Sequence, residues 1–310
     1  MRNRWFIALA AIGLHISIGS VYAWSVLTRP IMADMGFTLS QTTWTFSLAI
    51  LMLGLSAGFL GSFAEKIGPK KSGLLAMLFW VTGLLGTAYA LSIHNLTLLY
   101  LFYGIIGGIG LGIGYITPVS TLVKYFPNRP GFATGLAIMG FGFASLIAGP
   151  LMQYLVAQVG LVDTFIILGV IYLVVMGASS LYLKAPQQKH PTRPTKDKST
   201  MYVHNHGMLA NDAMKTWQFG ALWWVFFINI TCGIGLLSLA SPMAQEVIGM
   251  TPVAAASLVG IIGIFNGGGR IAWSTISDYL GRAQTYILFF IIEIIAFYLL
   301  AQTNSALTFQ

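Results

Sequence analysis

Apolar residues along this chain fall into about nine long blocks, each near the roughly 20 residues that a helix needs to cross a 30 Å hydrocarbon core. The blocks lie near Trp5–Thr28, Thr42–Phe63, Ser72–Ser92, Thr97–Val123, Gly131–Ala157, Val162–Leu183, Trp217–Leu239, Val253–Ile276 and Thr285–Leu300. Lipid offers no partner to a free backbone N–H or C=O, so each block is expected to be a helix bonded within itself. The pattern therefore predicts an all-α membrane protein. Arg2 and Arg4 precede the first block, and Val21-Tyr22-Ala23 has the small residues of a cleavage site. The length of that block, and the spans that follow it, favour a membrane helix over a secretory signal.

The polar connections carry the orientation. Lys and Arg cluster on alternate connections: Arg2 and Arg4 before span one, Lys66, Lys70 and Lys71 after span two, and Lys124 and Arg129 after span four. Lys184, Lys189, Arg193, Lys196, Lys198 and Lys215 follow span six, and Arg282 follows span eight. The opposite side holds only Arg29. The positive-inside rule places the N-terminus in the cytoplasm, and an odd number of spans then places Gln310 outside.

One connection is long. Residues 185–216 are rich in Pro, Lys and Thr and cannot bury a core, so they read as a flexible basic cytoplasmic linker. The linker separates six spans in residues 1–184 from three in residues 217–310.

Composition agrees with a membrane protein. Hydrophobic residues make up 56% and charged residues 8%, against about 25% charged in a soluble domain. The net charge of +8 reports orientation, and nucleic acid is not an expected partner. The single cysteine, Cys232, excludes a disulfide framework. The chain has no nucleotide-binding loop, metal-ligand cluster or nucleophile triad. Neither an enzyme nor an ATP-driven pump is expected, and no cofactor or metal.

A faint repeat relates the two halves. Gly61-Ser-Phe-Ala-Glu65-Lys66-Ile-Gly68-Pro-Lys70-Lys71 follows span two, and Ser274-Thr-Ile-Ser-Asp278-Tyr-Leu-Gly281-Arg282 follows span eight. Each places a carboxylate at a helix end, a glycine three residues on, and then cations. The glycine suits a tight turn, and the charges suit a conformational latch between neighbouring helices.

The first of these loops resembles the signature of the major facilitator superfamily, with Glu65 and Lys66 where the family carries Asp and Arg. Gly149-Pro150 in span five resembles a second signature of the same family. The resemblance implies two six-helix bundles related by an axis along the membrane normal. Nine spans correspond to a complete first bundle and three helices of the second. Finer features are Tyr22-Ala-Trp24-Ser, Gly112-Ile-Gly-Tyr115, Phe126-Pro127-Asn-Arg129-Pro-Gly131 and Phe265-Asn266-Gly-Gly-Gly-Arg270. Together they resemble the oxalate/formate antiporter family, relatives of the monocarboxylate transporters.

The candidate chemistry centres on Arg270. It lies about four turns into an apolar span, where a charge costs roughly 2.5–3.5 kcal/mol and marks a pathway by default. A guanidinium grips a carboxylate through two parallel hydrogen bonds. Asn266 stands one turn earlier on the same face. The resemblance assigns the carboxylate grip to Arg270 and places Tyr22, Tyr115 and Phe141 around a small carboxylate, with Phe141 where a tyrosine is expected. A second cation that the family carries in helix eleven has no counterpart in the nine spans. Trp24 and Trp44 suit either this cavity or an interfacial belt. In span four, Gly104, Gly108 and Gly112 form one stripe and Gly110 and Gly114 another, which suits close helix packing. His15 and Glu293 are candidates for proton coupling.

The expected function is secondary transport of small organic anions by alternating access, as proton symport or anion exchange. The expected partners are a small carboxylate and the bilayer of the plasma membrane, with the full-length protein monomeric. A drug-efflux carrier of the same superfamily, or a non-transporting remnant or sensor, remains an alternative.

Overall fold

The computed structural model describes residues 3–186 and 210–302. Among the described residues the secondary structure is helical throughout, and nine helices are long and apolar enough to cross a membrane. They are α1 (Arg4–Met35), α2 (Leu39–Ile67), α3 (Pro69–Ser92), α4 (Leu96–Tyr125), α5 (Pro130–Val159), α6 (Leu161–Tyr182), α7 (Trp217–Glu246), α8 (Pro252–Leu280) and α9 (Arg282–Ala301). Four of them, α1, α2, α7 and α8, run past the apolar blocks by a turn or more. α1 continues to Met35 and α7 to Glu246, because a helix does not stop where its side chains become polar.

Local sequence explains the ends and breaks. Thr38 and Gln41 form a reciprocal capping box that starts α2. The turns after α2 and α8 are made by Gly68 (φ +83°) and Gly281 (φ +90°), where a side chain would be strained. The two copies of the repeat thus share one turn geometry. α1 tightens into a 3-10 turn over Ser20–Ala23. Ser17 donates to the Gly13 carbonyl and Ser20 to that of Ser17, and such bonds bend helices. The turn carries Tyr22. α4 contains a π-helical stretch over Tyr100–Gly107.

The described residues divide into two compact units, Met1–Ala185 with Leu237–Gln310, and Pro186–Leu236. In the first unit the main packing pairs are α5 with α8, α3 with α6, α2 with α4, α1 with α5, and α3 with α4. The two glycine stripes of α4 meet different neighbours. Gly104 and Gly108 face Leu48 and Met52 of α2, whereas Gly110 and Gly114 face Ala76 of α3. One core cluster joins Ile7, Ala11, Leu122, Leu136, Ala137 and Leu183 from α1, α4, α5 and the end of α6. Trp24 is fully buried against Tyr103 and belongs to the core; Trp44 is exposed.

In the second unit, a short helix at Ala210–Ala213 precedes the first part of α7. The rings of Trp223, Trp224 and Phe227 pack together there. Residues 187–209, most of the linker read from the sequence, lie outside the described residues.

Candidate functional site

Arg270 stands ten residues before the end of α8, about 15 Å along the helix from Leu280 at 1.5 Å per residue. That distance is about half the thickness of a bilayer core. α8 is drawn onto α5 by small residues. A Cβ on Gly142 would fall 2.5 Å from the Gly267 backbone nitrogen, and one on Gly135 would fall 2.8 Å from the Arg270 carbonyl. The close approach sets Arg270 one turn beyond Gly267, beside the ring of Phe141.

Four helices, α1, α4, α5 and α8 itself, supply the surroundings of the guanidinium. Its Nε donates to Asn266 Oδ1 at 2.8 Å, and its Nη2 donates to the Tyr22 hydroxyl at 3.4 Å. The Tyr115 hydroxyl of α4 also interacts with it. Its central carbon lies 6.0 Å from the Tyr22 ring centre and 5.8 Å from that of Phe141. These rings pack edge to face, at 4.7 Å for Tyr22 with Phe141 and 5.4 Å for Tyr115 with Phe141. The structure therefore brings Arg270, Asn266, Tyr22, Tyr115 and Phe141 together. Every acceptor on the guanidinium is neutral, and no carboxylate among the described residues pairs with it.

His15 adjoins this cluster, which sequence spacing alone did not indicate. It is fully buried in α1, with its ring 5.4 Å from Tyr115 and 6.1 Å from Phe141. Its Nε2 lies 3.0 Å from the Tyr115 carbonyl, and its Nδ1 contacts the Ala137 carbonyl. A neutral imidazole carries one N–H and satisfies one of these carbonyls; an imidazolium satisfies both. Glu293 lies on α9, which packs on α8, and is not part of this cluster.

The two repeat loops are built differently. Glu65 at the end of α2 pairs with Lys124 of α4 at 3.1 Å. Lys66, Lys70 and Lys71 form no ion pair among the described residues. Gly61 faces Ile116 of α4. In the second loop Arg282 pairs with Asp278 at 2.6 Å and also contacts Ser277. The Asp278 carboxylate lies against Gly131: a Cβ there would fall 2.5 Å from Asp278 Oδ1. It therefore faces the first turn of α5, where free N–H groups favour a negative charge. At the opposite helix ends, Arg29 of α1 donates to Gln245 at 3.0 Å and lies 3.7 Å from Glu246 of α7. The sequence pattern assigns Arg29 no partner, and this contact appears only in the structure.

The sequence profile described as Major Facilitator Superfamily matches residues 6–309. The chain is 31% identical over 298 residues to the uncharacterized MFS-type transporter YhjX of Escherichia coli, covering 95% of this chain and 71% of the relative. It is 26% identical over 289 residues to the oxalate:formate antiporter of Oxalobacter formigenes, covering 93% and 66%. Human monocarboxylate transporter 14 is 27% identical over 191 residues, 61% of this chain and 37% of the relative. The chain thus spans about two thirds of the length of the first two relatives. Among solved structures, a D-xylose-proton symporter aligns with a TM-score of 0.60 at 14% identity, over 89% of this chain and 68% of that one.

Proposed function

The chain belongs to the major facilitator superfamily, a family of membrane transporters and not of enzymes, and from that premise we propose that it carries small organic anions by alternating access. The observation that carries this reading is the Arg270 guanidinium. It sits well inside an apolar span among aromatic rings, and its hydrogen-bond partners among the described residues are neutral. An uncompensated cation there attracts an anion. Asn266 fixes Nε, which turns the remaining N–H groups towards a carboxylate. The rings of Tyr22, Tyr115 and Phe141 exclude water, which strengthens the charge pairing.

A monocarboxylate, or a small acid of the oxalate and formate type, suits the Arg270 fork, and two relatives are named for such substrates. His15 supports proton symport over simple exchange. A protonated His15 close to Arg270 is costly until a carboxylate arrives, so proton and anion favour each other's binding. The contacts of Asp278 with the start of α5, and of Arg29 with Gln245 and Glu246, lie at opposite helix ends. In this account each breaks as the site opens to its own side. The protein resides in the plasma membrane as a monomer, with its N-terminus and basic loops in the cytoplasm.

The test is uptake of labelled formate, lactate and oxalate into proteoliposomes, beside a lipophilic drug cation. Concentrative uptake of a carboxylate alone supports the reading. Transport of the cation without the carboxylates overturns it.

A further inference from the structure

We propose that a cleft at the helix ends bearing the basic loops binds the phosphate of an anionic phospholipid. The cleft has a volume of about 310 Å³ and is lined by Arg4, Trp5, Phe126, Asn128, Arg129 and Phe132, among others. It lies where the start of α1 meets the connection from α4 to α5. It is separate from the Arg270 cluster and shares no residue with it.

Three features of the cleft define its ligand. The first is uncompensated charge. Neither Arg4 nor Arg129 has an ion pair among the described residues, while the carboxylates at these helix ends, Glu65 and Asp278, are held by Lys124 and Arg282. Arg4 and Arg129 both line the one cavity, and a pair of guanidinium forks suits the oxygens of a phosphate ester.

The second is a stiff aromatic wall. Trp5 and Phe126 are 5.5 Å apart, and Phe126 and Phe132 6.0 Å. The Arg4 guanidinium carbon lies 5.7 Å from the Trp5 ring centre and 5.3 Å from that of Phe126. Cation–π contact holds the arginine over the cavity without neutralising it.

The third feature selects a lipid over a soluble phosphate. Trp5 is followed by Phe6 and Leu9 on the outer face of α1, which are 57% and 63% exposed. They leave apolar surface exposed on the same helix within a turn of Trp5, where an acyl chain would lie. Tyr182, with its ring 6.4 Å from that of Phe6, borders this surface. A head group over the two arginines would leave its acyl chain along this stripe, at the depth where aromatic side chains collect.

The experiment is native mass spectrometry of the full chain in detergent, titrated with phosphatidylglycerol and with phosphatidylcholine. Arg4→Gln/Arg129→Gln is compared with Lys70→Gln/Lys71→Gln, which removes equal charge at the same helix ends. Both mutated arginines are surface residues, and circular dichroism checks that the variants fold. The proposal expects phosphatidylglycerol to bind the wild type in preference to phosphatidylcholine. The arginine variant should weaken that binding by about tenfold, the scale of one charge-assisted hydrogen bond, and the lysine variant by less than about twofold. Glycerol phosphate added as competitor separates the sources. If it leaves the lipid bound, the ligand is a lipid; if it displaces the lipid at equal concentration, the phosphate site stands and the lipid assignment falls. Equal losses in the two variants, or no preference for the anionic lipid, would overturn the site.

Discussion

Gly142 of α5 and Gly267 of α8 meet backbone against backbone, so closely that a Cβ on Gly142 would lie 2.5 Å from the Gly267 nitrogen. This contact sets the distance between the helix that carries Phe141 and the one that carries Arg270. Gly142→Ala must push the helices apart, at a cost of about 1–3 kcal/mol for overpacking. Gly268→Ala is the matching control, since a Cβ there meets nothing within 4 Å. It should hold or raise stability by about 0.5–1 kcal/mol, the usual gain from replacing a helical glycine. Thermal unfolding in detergent distinguishes the two, and equal midpoints would contradict this packing.

Asn266 keeps a neutral oxygen on Arg270 Nε at 2.8 Å. Asn266→Asp would place an internal carboxylate on the same atom, in competition with the substrate. Protonation removes that competitor, so carboxylate uptake by this variant should be depressed at neutral pH and recover as pH falls. The check is uptake at fixed proton gradient across a pH series. A profile identical to the wild type would show that Asn266 does not border the bound anion.

Tyr22 is the neutral acceptor contributed by the opposite end of the sequence. Tyr22→Phe keeps the ring and loses the acceptor at 3.4 Å. The bond is long, so a loss of about 1 kcal/mol is expected, near fivefold in the apparent affinity for a carboxylate. The maximal rate should change little. Uptake kinetics measure both quantities.

His15 faces two carbonyls that only an imidazolium satisfies together. His15→Gln should abolish the stimulation of uptake by an inward proton gradient while leaving carboxylate counterflow intact. Retention of full gradient-driven uptake would exclude His15 as the proton carrier.

The charged contacts at the basic helix ends should differ in consequence. Glu65 and Lys124 are both about half exposed, and such a pair is worth about 0.2–1 kcal/mol. Glu65→Gln should therefore shift stability only slightly. Asp278 faces the start of α5 and is the less exposed partner of its pair, at 26%. Asp278→Asn should slow turnover severalfold with substrate affinity unchanged, as measured by uptake and equilibrium binding.

Much of this fold is written in local sequence. The long apolar blocks give the helices, Gly68 and Gly281 give matching turns, and the two glycine stripes of α4 give its two neighbours. Arg270 stands out because an intramembrane cation is costly. What periodicity does not carry is pairing between distant helices. Tyr22 reaches Arg270 across 248 positions, and Arg29 reaches Gln245 across 216. Nothing local tells Glu65 to choose Lys124 over the adjacent Lys66. The 3-10 turn at Ser20 and the π-helical stretch at Tyr100 depend on hydroxyl bonding and register, which hydropathy does not record. Trp24 fits a membrane interface as well as a core by composition, and only its packing against Tyr103 decides.

The most direct test of the account is equilibrium binding of a small carboxylate to purified protein carrying Arg270→Gln, beside Arg270→Lys and the wild type. Binding by the wild type should be saturable, weaker with lysine, which keeps the charge without the fork, and undetectable with glutamine. Unchanged carboxylate affinity in Arg270→Gln would contradict this expectation.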